Sequence, residues 1–193
     1  MEIYLIRHTT PAIEAGICYG HSDIDITESF KKEAEIIAKS LPNTIQQVIS
    51  SPLRRCRKLA EILFPDHAKE LDDNLKEIHC GDWELKKWDD IPKEILDPWM
   101  KEFVTTPFPN GESYEQFYRR VINQFEEIVH NYRGSIAIVT HGGVMRSILS
   151  YITYTPLLNS FDRFEIPYGT VVQLINERCN WQHKILGGER ANK

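Results

Sequence analysis

No apolar run in the 193-residue chain approaches the roughly 20 residues needed to cross a bilayer, so no membrane partner is expected. There is no surplus of positive charge either. The net charge of −5 disfavours a nucleic-acid or anionic-membrane surface. Cysteine is sparse. Cys18, Cys56, Cys80 and Cys179 are widely spread, which argues for reduced thiols and against a disulfide framework. Cys18 with His21, and His79 with Cys80, give only half of a zinc-like spacing. No complete four-ligand set exists, so no metal is expected. A Gly-rich Walker loop is missing, which leaves a nucleotide-dependent kinase remote. Internal repeats and low-complexity tracts are missing as well. The start, Met1-Glu2-Ile3-Tyr4, has no basic stretch ahead of an apolar one, so a cytoplasmic protein is expected.

What is present is an ordinary globular composition, 41% hydrophobic and 26% charged, in a length that suits one domain. Residues 2–6 read as a strand, 7–26 as a long loop, and a helix follows with Thr27 as a plausible N-cap. Residues 46–50 read as a second strand. Pro52 suits a first helical turn, and that helix runs to about Leu63. A short strand is expected near 68–71. The stretch 72–112, with Trp83, Trp88, Trp99 and four prolines, reads as short helices forming a lid-like insertion. Ser113 and Gln116 form a capping-box pattern ahead of a long amphipathic helix that Gly134 closes. A strand at 135–140, a helix from Gly143 to about Thr153, and a hairpin of Val171–Ile175 with Trp181–Ile185 complete the pattern. The tail from Gly187 is expected to fray. Strands alternating with helices predict an α/β fold with a mostly parallel sheet covered on both faces.

Three strand-like runs end in cationic or potentially cationic residues: Arg7-His8, Arg54-Arg55 beyond Ser51-Pro52, and His141-Gly142-Gly143. If the strands are parallel neighbours, these residues meet at one edge of the sheet, where ligands of such folds bind. Arginine forks match phosphate oxygens. Glycines at a helix start bare amide groups for an anion. A histidine among arginines is biased to the neutral form, and a neutral imidazole is a nucleophile. The pattern therefore permits phosphoryl transfer through a phosphohistidine, with a carboxylic acid supplying a proton to the leaving alkoxide.

Seven segments in order resemble the histidine phosphatase superfamily, with its phosphoglycerate mutase-like three-layer α/β/α fold. They are Ile6-Arg7-His8-Thr9, Tyr19-Gly20-His21-Ser22-Asp23 with Thr27-Glu28, Ser50-Ser51-Pro52-Leu53-Arg54-Arg55, Leu75-Lys76-Glu77 leading to Gly81-Asp82-Trp83-Glu84, Pro109-Asn110-Gly111-Glu112-Ser113, Val139-Thr140-His141-Gly142-Gly143 and Ile166-Pro167-Tyr168-Gly169-Thr170. The resemblance spans nearly the whole chain and implies one domain over 1–193. It implies His8 as the phosphorylated nucleophile, Arg7 and Arg55 as phosphate clamps, His141 as the second histidine of the pocket and Glu77 as proton donor. Thr9, Thr10, Tyr19, Gly20, Gly142 and Gly143 line up with residues bordering the phosphate or substrate. The family needs no metal or cofactor, and its partner is a small phosphate ester. A homodimer is left open.

The chain departs from the family pattern at Thr9, at Thr10-Pro11 and at Glu14, and its loop before Gly20 is about one residue shorter. Arg-His-Thr-x-Pro followed by Cys-Tyr-Gly is similar to the α-ribazole phosphatase branch, which implies hydrolysis of α-ribazole 5′-phosphate in cobalamin assembly. The mutase branch carries extra insertions around 85–110 that this chain is too short to hold. Alternatives are a broad sugar or nucleotide phosphatase, a mutase, or a non-catalytic phospho-ligand-binding module. For the proton donor, spacing alone leaves Glu77 level with Asp82, Glu84 and Glu112. Arg54, Arg57 and Lys58 read as solvated helix charges. Cys56 reads as either a low-pKa thiol or a small packing residue. Tyr19, Trp83, Phe108 and Tyr168 are candidates to stack on an aromatic base.

Overall fold

The computed structural model describes residues 1–177 and 180–187. Cys179 and the polar tail beyond Gly187 lie outside the described residues. Six strands, β1 (Glu2–Arg7), β2 (Gln47–Ser50), β3 (Lys69–Leu71), β4 (Ser135–Thr140), β5 (Val171–Glu177) and β6 (Asn180–Gly187), form one sheet in the order β3-β2-β4-β1-β5-β6. The first four are parallel, and the β5–β6 hairpin adds antiparallel at one side.

Side-chain alternation in the central strands sorts the helices. Ile3 and Leu5 of β1 and Ile136 and Ile138 of β4 point to one face. There they meet α4 (Tyr114–Asn131) through Phe117, Val121 and Phe125, and α5 (Gly142–Ile152) through Val144 and Ile148. Tyr4, Ile6, Ala137 and Val139 point the other way. They pack on α1 (Phe30–Ala38) and α2 (Arg54–Leu63). A period of two with both faces apolar is what a strand covered on both sides requires. The α/β three-layer expectation holds.

Local signals hold in part. The capping box forms: Ser113 accepts from the Gln116 amide at 3.1 Å, and Gln116 accepts from the Ser113 amide at 2.9 Å. Thr27 is not the cap of α1, which starts at Phe30 behind Ser29. The Thr27 hydroxyl instead meets Ser29 Oγ at 2.7 Å and donates to the Thr10 carbonyl at 3.3 Å. Pro52 precedes Leu53, the N-cap of α2, and so lies outside its first turn. Gly134 does not close α4, which stops at Asn131. At φ +87° it turns the chain into β4, and its carbonyl accepts the Glu2 amide at 3.1 Å.

Residues 72–112 hold three 3-10 turns (Asp73–Leu75, Gly81–Trp83 and Trp88–Asp90) and α3 (Lys93–Glu102). Cys18, Cys80, Trp83, Ile91 and Phe108 form a third apolar cluster, separate from the two sheet faces. Then come a 3-10 turn at Leu157–Asn159 and the short α6 (Ser160–Arg163).

Candidate active site

The register of the sheet builds the site. Arg7 at the end of β1 pairs with Thr140 at the end of β4. The next residues, His8 and His141, therefore stand side by side, their ring centroids 5.2 Å apart and the planes 65° to each other. Ser50 of β2 pairs with Val139, so Ser51 reaches the same edge. Its hydroxyl lies 2.8 Å from His141 Nε2. Arg55 enters from the first turn of α2 and is fully buried.

His8 Nδ1 lies 2.7 Å from the carbonyl oxygen of Thr9. A carbonyl can only accept, so Nδ1 carries the hydrogen and Nε2 keeps its lone pair. Burial holds His8 well below its ordinary value, with Arg55 and Arg7 adding in the same direction. His141 is lowered by burial first, then by Arg55 and by His8. Both rings are neutral at pH 7.

The arginines are oriented by carbonyl groups, which leave their charge uncompensated. Arg7 Nη1 donates to the Ile166 carbonyl, and its guanidinium lies 4.0 Å from the Tyr168 ring centre. Arg55 Nη1 and Nη2 donate to the carbonyls of Ser22 and Gly20, each at 2.8 Å. Neither arginine has a carboxylate partner among the described residues, and the Nε of each is buried without a hydrogen bond. Two uncompensated guanidinium groups beside two neutral imidazoles can hold a doubly charged phosphoryl group and attack it.

The chain matches the family described as the histidine phosphatase superfamily (branch 1) over residues 3–187. It belongs to that superfamily. It is similar to the adenosylcobalamin/alpha-ribazole phosphatase of Salmonella typhimurium, with 24% identity over 201 residues covering 94% of this chain and 99% of the relative. It is similar to the metal-independent phosphoserine phosphatase of Arabidopsis thaliana, with 31% identity over 164 residues covering 79% and 68% of the two chains. Its fold is that of the alpha-ribazole phosphatase from Shigella flexneri, with a TM-score of 0.86 at 23% identity over 98% of this chain and all of the other.

Glu77 lies on the wall of the same cavity as Arg7 and His8. It is held by the Gly143 amide at 3.0 Å and by the Ile78 amide at 3.1 Å. A helix start at Gly142-Gly143 suits an anion, and here the Gly143 amide donates to the Glu77 carboxylate. A Cβ on Gly143 would overlap the Glu77 carboxylate, and one on Gly142 would come within 3.1 Å of Arg7 Cζ.

The rivals of Glu77 are otherwise engaged. Glu84 accepts hydrogen bonds from the 20–22 loop. Glu112 pairs with Arg120 at 2.7 Å and accepts from the His79 amide. Asp82 accepts from Asn110 at the surface. Sequence reasoning missed Arg120, which donates to the carbonyls of Asn74, Lys76 and Glu77 and so staples the segment 74–77 that presents Glu77. Nothing in its local sequence marks it, because the partners lie more than 40 residues away.

The remaining expected residues separate. Thr9 is fully buried beside His8. Tyr19 lines the cavity, with its hydroxyl 2.7 Å from that of Tyr168. Gly20 supplies the carbonyl that accepts from Arg55 Nη2 at 2.8 Å. Thr10 is turned away, its amide and hydroxyl both donating to Glu33 of α1 at 2.8 and 3.1 Å. Trp83 faces the apolar cluster rather than the cavity, whereas Phe108 and Tyr168 line it. Cys56 is fully buried, its thiol pushed up to about 12 by burial, and packs 3.5 Å from His141 Nε2, so it is a packing residue rather than a reactive thiolate. Arg54 and Lys58 pair with Asp25 at the surface, as helix charges should.

The cavity measures about 710 Å³. Trp88, Trp99, Phe103, Phe108 and Tyr114 give it aromatic walls. Arg146 also lines it, its Nε buried without a hydrogen-bond partner and its guanidinium 4.4 Å from the Phe161 ring centre. Sequence reasoning missed this residue as well, because an arginine one turn into a helix reads as a solvated charge.

Proposed function

We propose that the protein is a metal-independent phosphomonoester hydrolase that works through a phosphohistidine on His8. The observation that carries this reading is the pair of neutral histidines flanked by two arginines without carboxylate partners among the described residues. His8 Nε2 attacks phosphorus as the phosphorus–oxygen bond to the alcohol breaks. Arg7, Arg55 and His141 hold the three equatorial oxygens, where charge spreads. Glu77, in its acid form, gives its proton to the departing alkoxide. The resulting carboxylate then takes a proton from water as the water displaces His8 from phosphorus, releasing inorganic phosphate. Substrate incubation followed by an alkaline quench should trap a phosphoramidate on His8. A His8→Ala variant should lose at least about 10³-fold in turnover; full hydrolysis by that variant would end the assignment.

Within this class the substrate we favour is α-ribazole 5′-phosphate. The alcohol it releases carries a flat aromatic base on a sugar. The 710 Å³ cavity is of a size that encloses such a group, and its aromatic walls suit stacking. The alpha-ribazole phosphatase of Salmonella resembles the chain over nearly its full length. Phosphoserine is the second reading, favoured by the Arg146 guanidinium at the cavity wall, whose Nε is buried without a hydrogen bond and whose fork matches a carboxylate, and by the Arabidopsis phosphoserine phosphatase. The values of kcat/KM on α-ribazole 5′-phosphate, phosphoserine and p-nitrophenyl phosphate separate the two. A phosphoglycerate isomerisation assay tests for a mutase. Tight phosphate binding with no turnover of any ester would favour a binding module.

A further inference from the structure

Glu84 lies outside the cavity, yet its carboxylate gathers more donors than any group in the site. Oε1 accepts from the amides of His21 at 2.8 Å and Cys80 at 3.1 Å. Oε2 accepts from the amides of Gly20 at 3.0 Å and Ser22 at 3.1 Å, and from the Ser22 hydroxyl. Three successive amides are thus turned to one side of the loop. The carbonyls of the same loop, Gly20 O and Ser22 O, turn to the other side and accept the two Nη groups of Arg55. Arg55 itself is fully buried, so these two carbonyls decide where its fork points. The loop packs closely against the 78–80 segment at Gly20, where a Cβ would overlap the Ile78 carbonyl. The bond to the Cys80 amide ties the same carboxylate to the segment that follows Glu77.

We propose that Glu84 is a positioning residue for the phosphate clamp: it orders residues 20–22 so that their carbonyls aim Arg55 at the phosphoryl group. This rests on the reading of Arg55 as a phosphate ligand. Glutamine at position 84 would set an NH2 group against backbone N–H donors, leaving at least two of them unpaired. A small misplacement of a clamping group lowers rate steeply.

The test is a double-mutant cycle between Glu84→Gln and Arg55→Ala, read by the dissociation constant of inorganic phosphate and by kcat/KM on p-nitrophenyl phosphate. In the wild-type background Glu84→Gln should weaken phosphate binding about 10-fold and lower kcat/KM by about 10- to 100-fold. In the Arg55→Ala background it should change each by less than about 2-fold, because the group it acts through is gone. Equal losses in both backgrounds, or no loss in the first, would overturn the proposal. Should Glu84→Gln fail to fold, Glu84→Asp keeps the charge, withdraws the acceptors and enters the same cycle with the same two outcomes. If the wild-type protein hydrolyses no ester, the catalytic reading falls, while the phosphate-binding arm still decides the Glu84–Arg55 coupling.

Discussion

At the scale of single residues, the site is a problem in placing charge. Burial and two guanidinium groups keep His8 and His141 neutral, which is the state a nucleophile needs and the state that acid opposes. Both histidines lie below the ordinary 6.5 when folded. Between their folded values and 6.5 the unfolded chain therefore binds more protons. Stability should rise with pH up to about 6.5 and be lost as the pH falls from there, by about 1.4 kcal/mol per pH unit for each histidine. Urea unfolding of the wild type and of His8→Asn between pH 5 and 7 measures this, and the variant should show the shallower slope. Glu77→Gln makes a second residue-level prediction. Alkyl phosphates, which need a proton on the leaving oxygen, should slow by about 10²-fold or more, and activated aryl phosphates far less. Equal losses on both classes would remove Glu77 from the proton-donor role.

At the scale of elements, the start of α5 combines two tasks. His141 is its N-cap, Gly142 lets Arg7 pack close, and the Gly143 amide holds Glu77. Gly143→Ala should push the Glu77 carboxylate out of place. The expected result is a fall in kcat on alkyl phosphates of about 10-fold or more with little change in phosphate affinity. The start of α4 is a stability device instead. Ser113→Ala removes half of the capping box and should cost about 1 kcal/mol by urea unfolding, leaving turnover intact. The capping box was legible in the sequence because both partners sit three residues apart. The end of α4 was not, since Gly134 has its positive φ for the turn into β4 and for the bond to Glu2, a contact that spacing along the chain does not reveal.

At the scale of the molecule, the sheet brings the catalytic candidates to one edge, and the segment 72–112 brings the substrate wall. We propose that this segment acts as a lid whose aromatic face selects the alcohol. Trp99 and Phe108 stand 4.4 Å apart at the cavity. Trp99→Ala should lower kcat/KM on α-ribazole 5′-phosphate by about 10-fold or more and leave p-nitrophenyl phosphate within about 2-fold. A loss shared by both substrates would mean that the tryptophan supports the fold rather than the specificity.

The amino-acid sequence alone determined the alternation of strands and helices, the arginines and histidines at strand ends and the capping signals. Each of these is written in residues close together, where periodicity and local hydrogen bonding act. Only the tertiary structure decided that Glu84, Glu112 and Asp82 are engaged elsewhere, that Thr10 faces Glu33, that Arg120 holds the acid's segment, and that Arg146 enters the cavity. Those outcomes depend on which distant donor reaches a given charge first, and that competition is settled by packing, after the chain has folded back on itself.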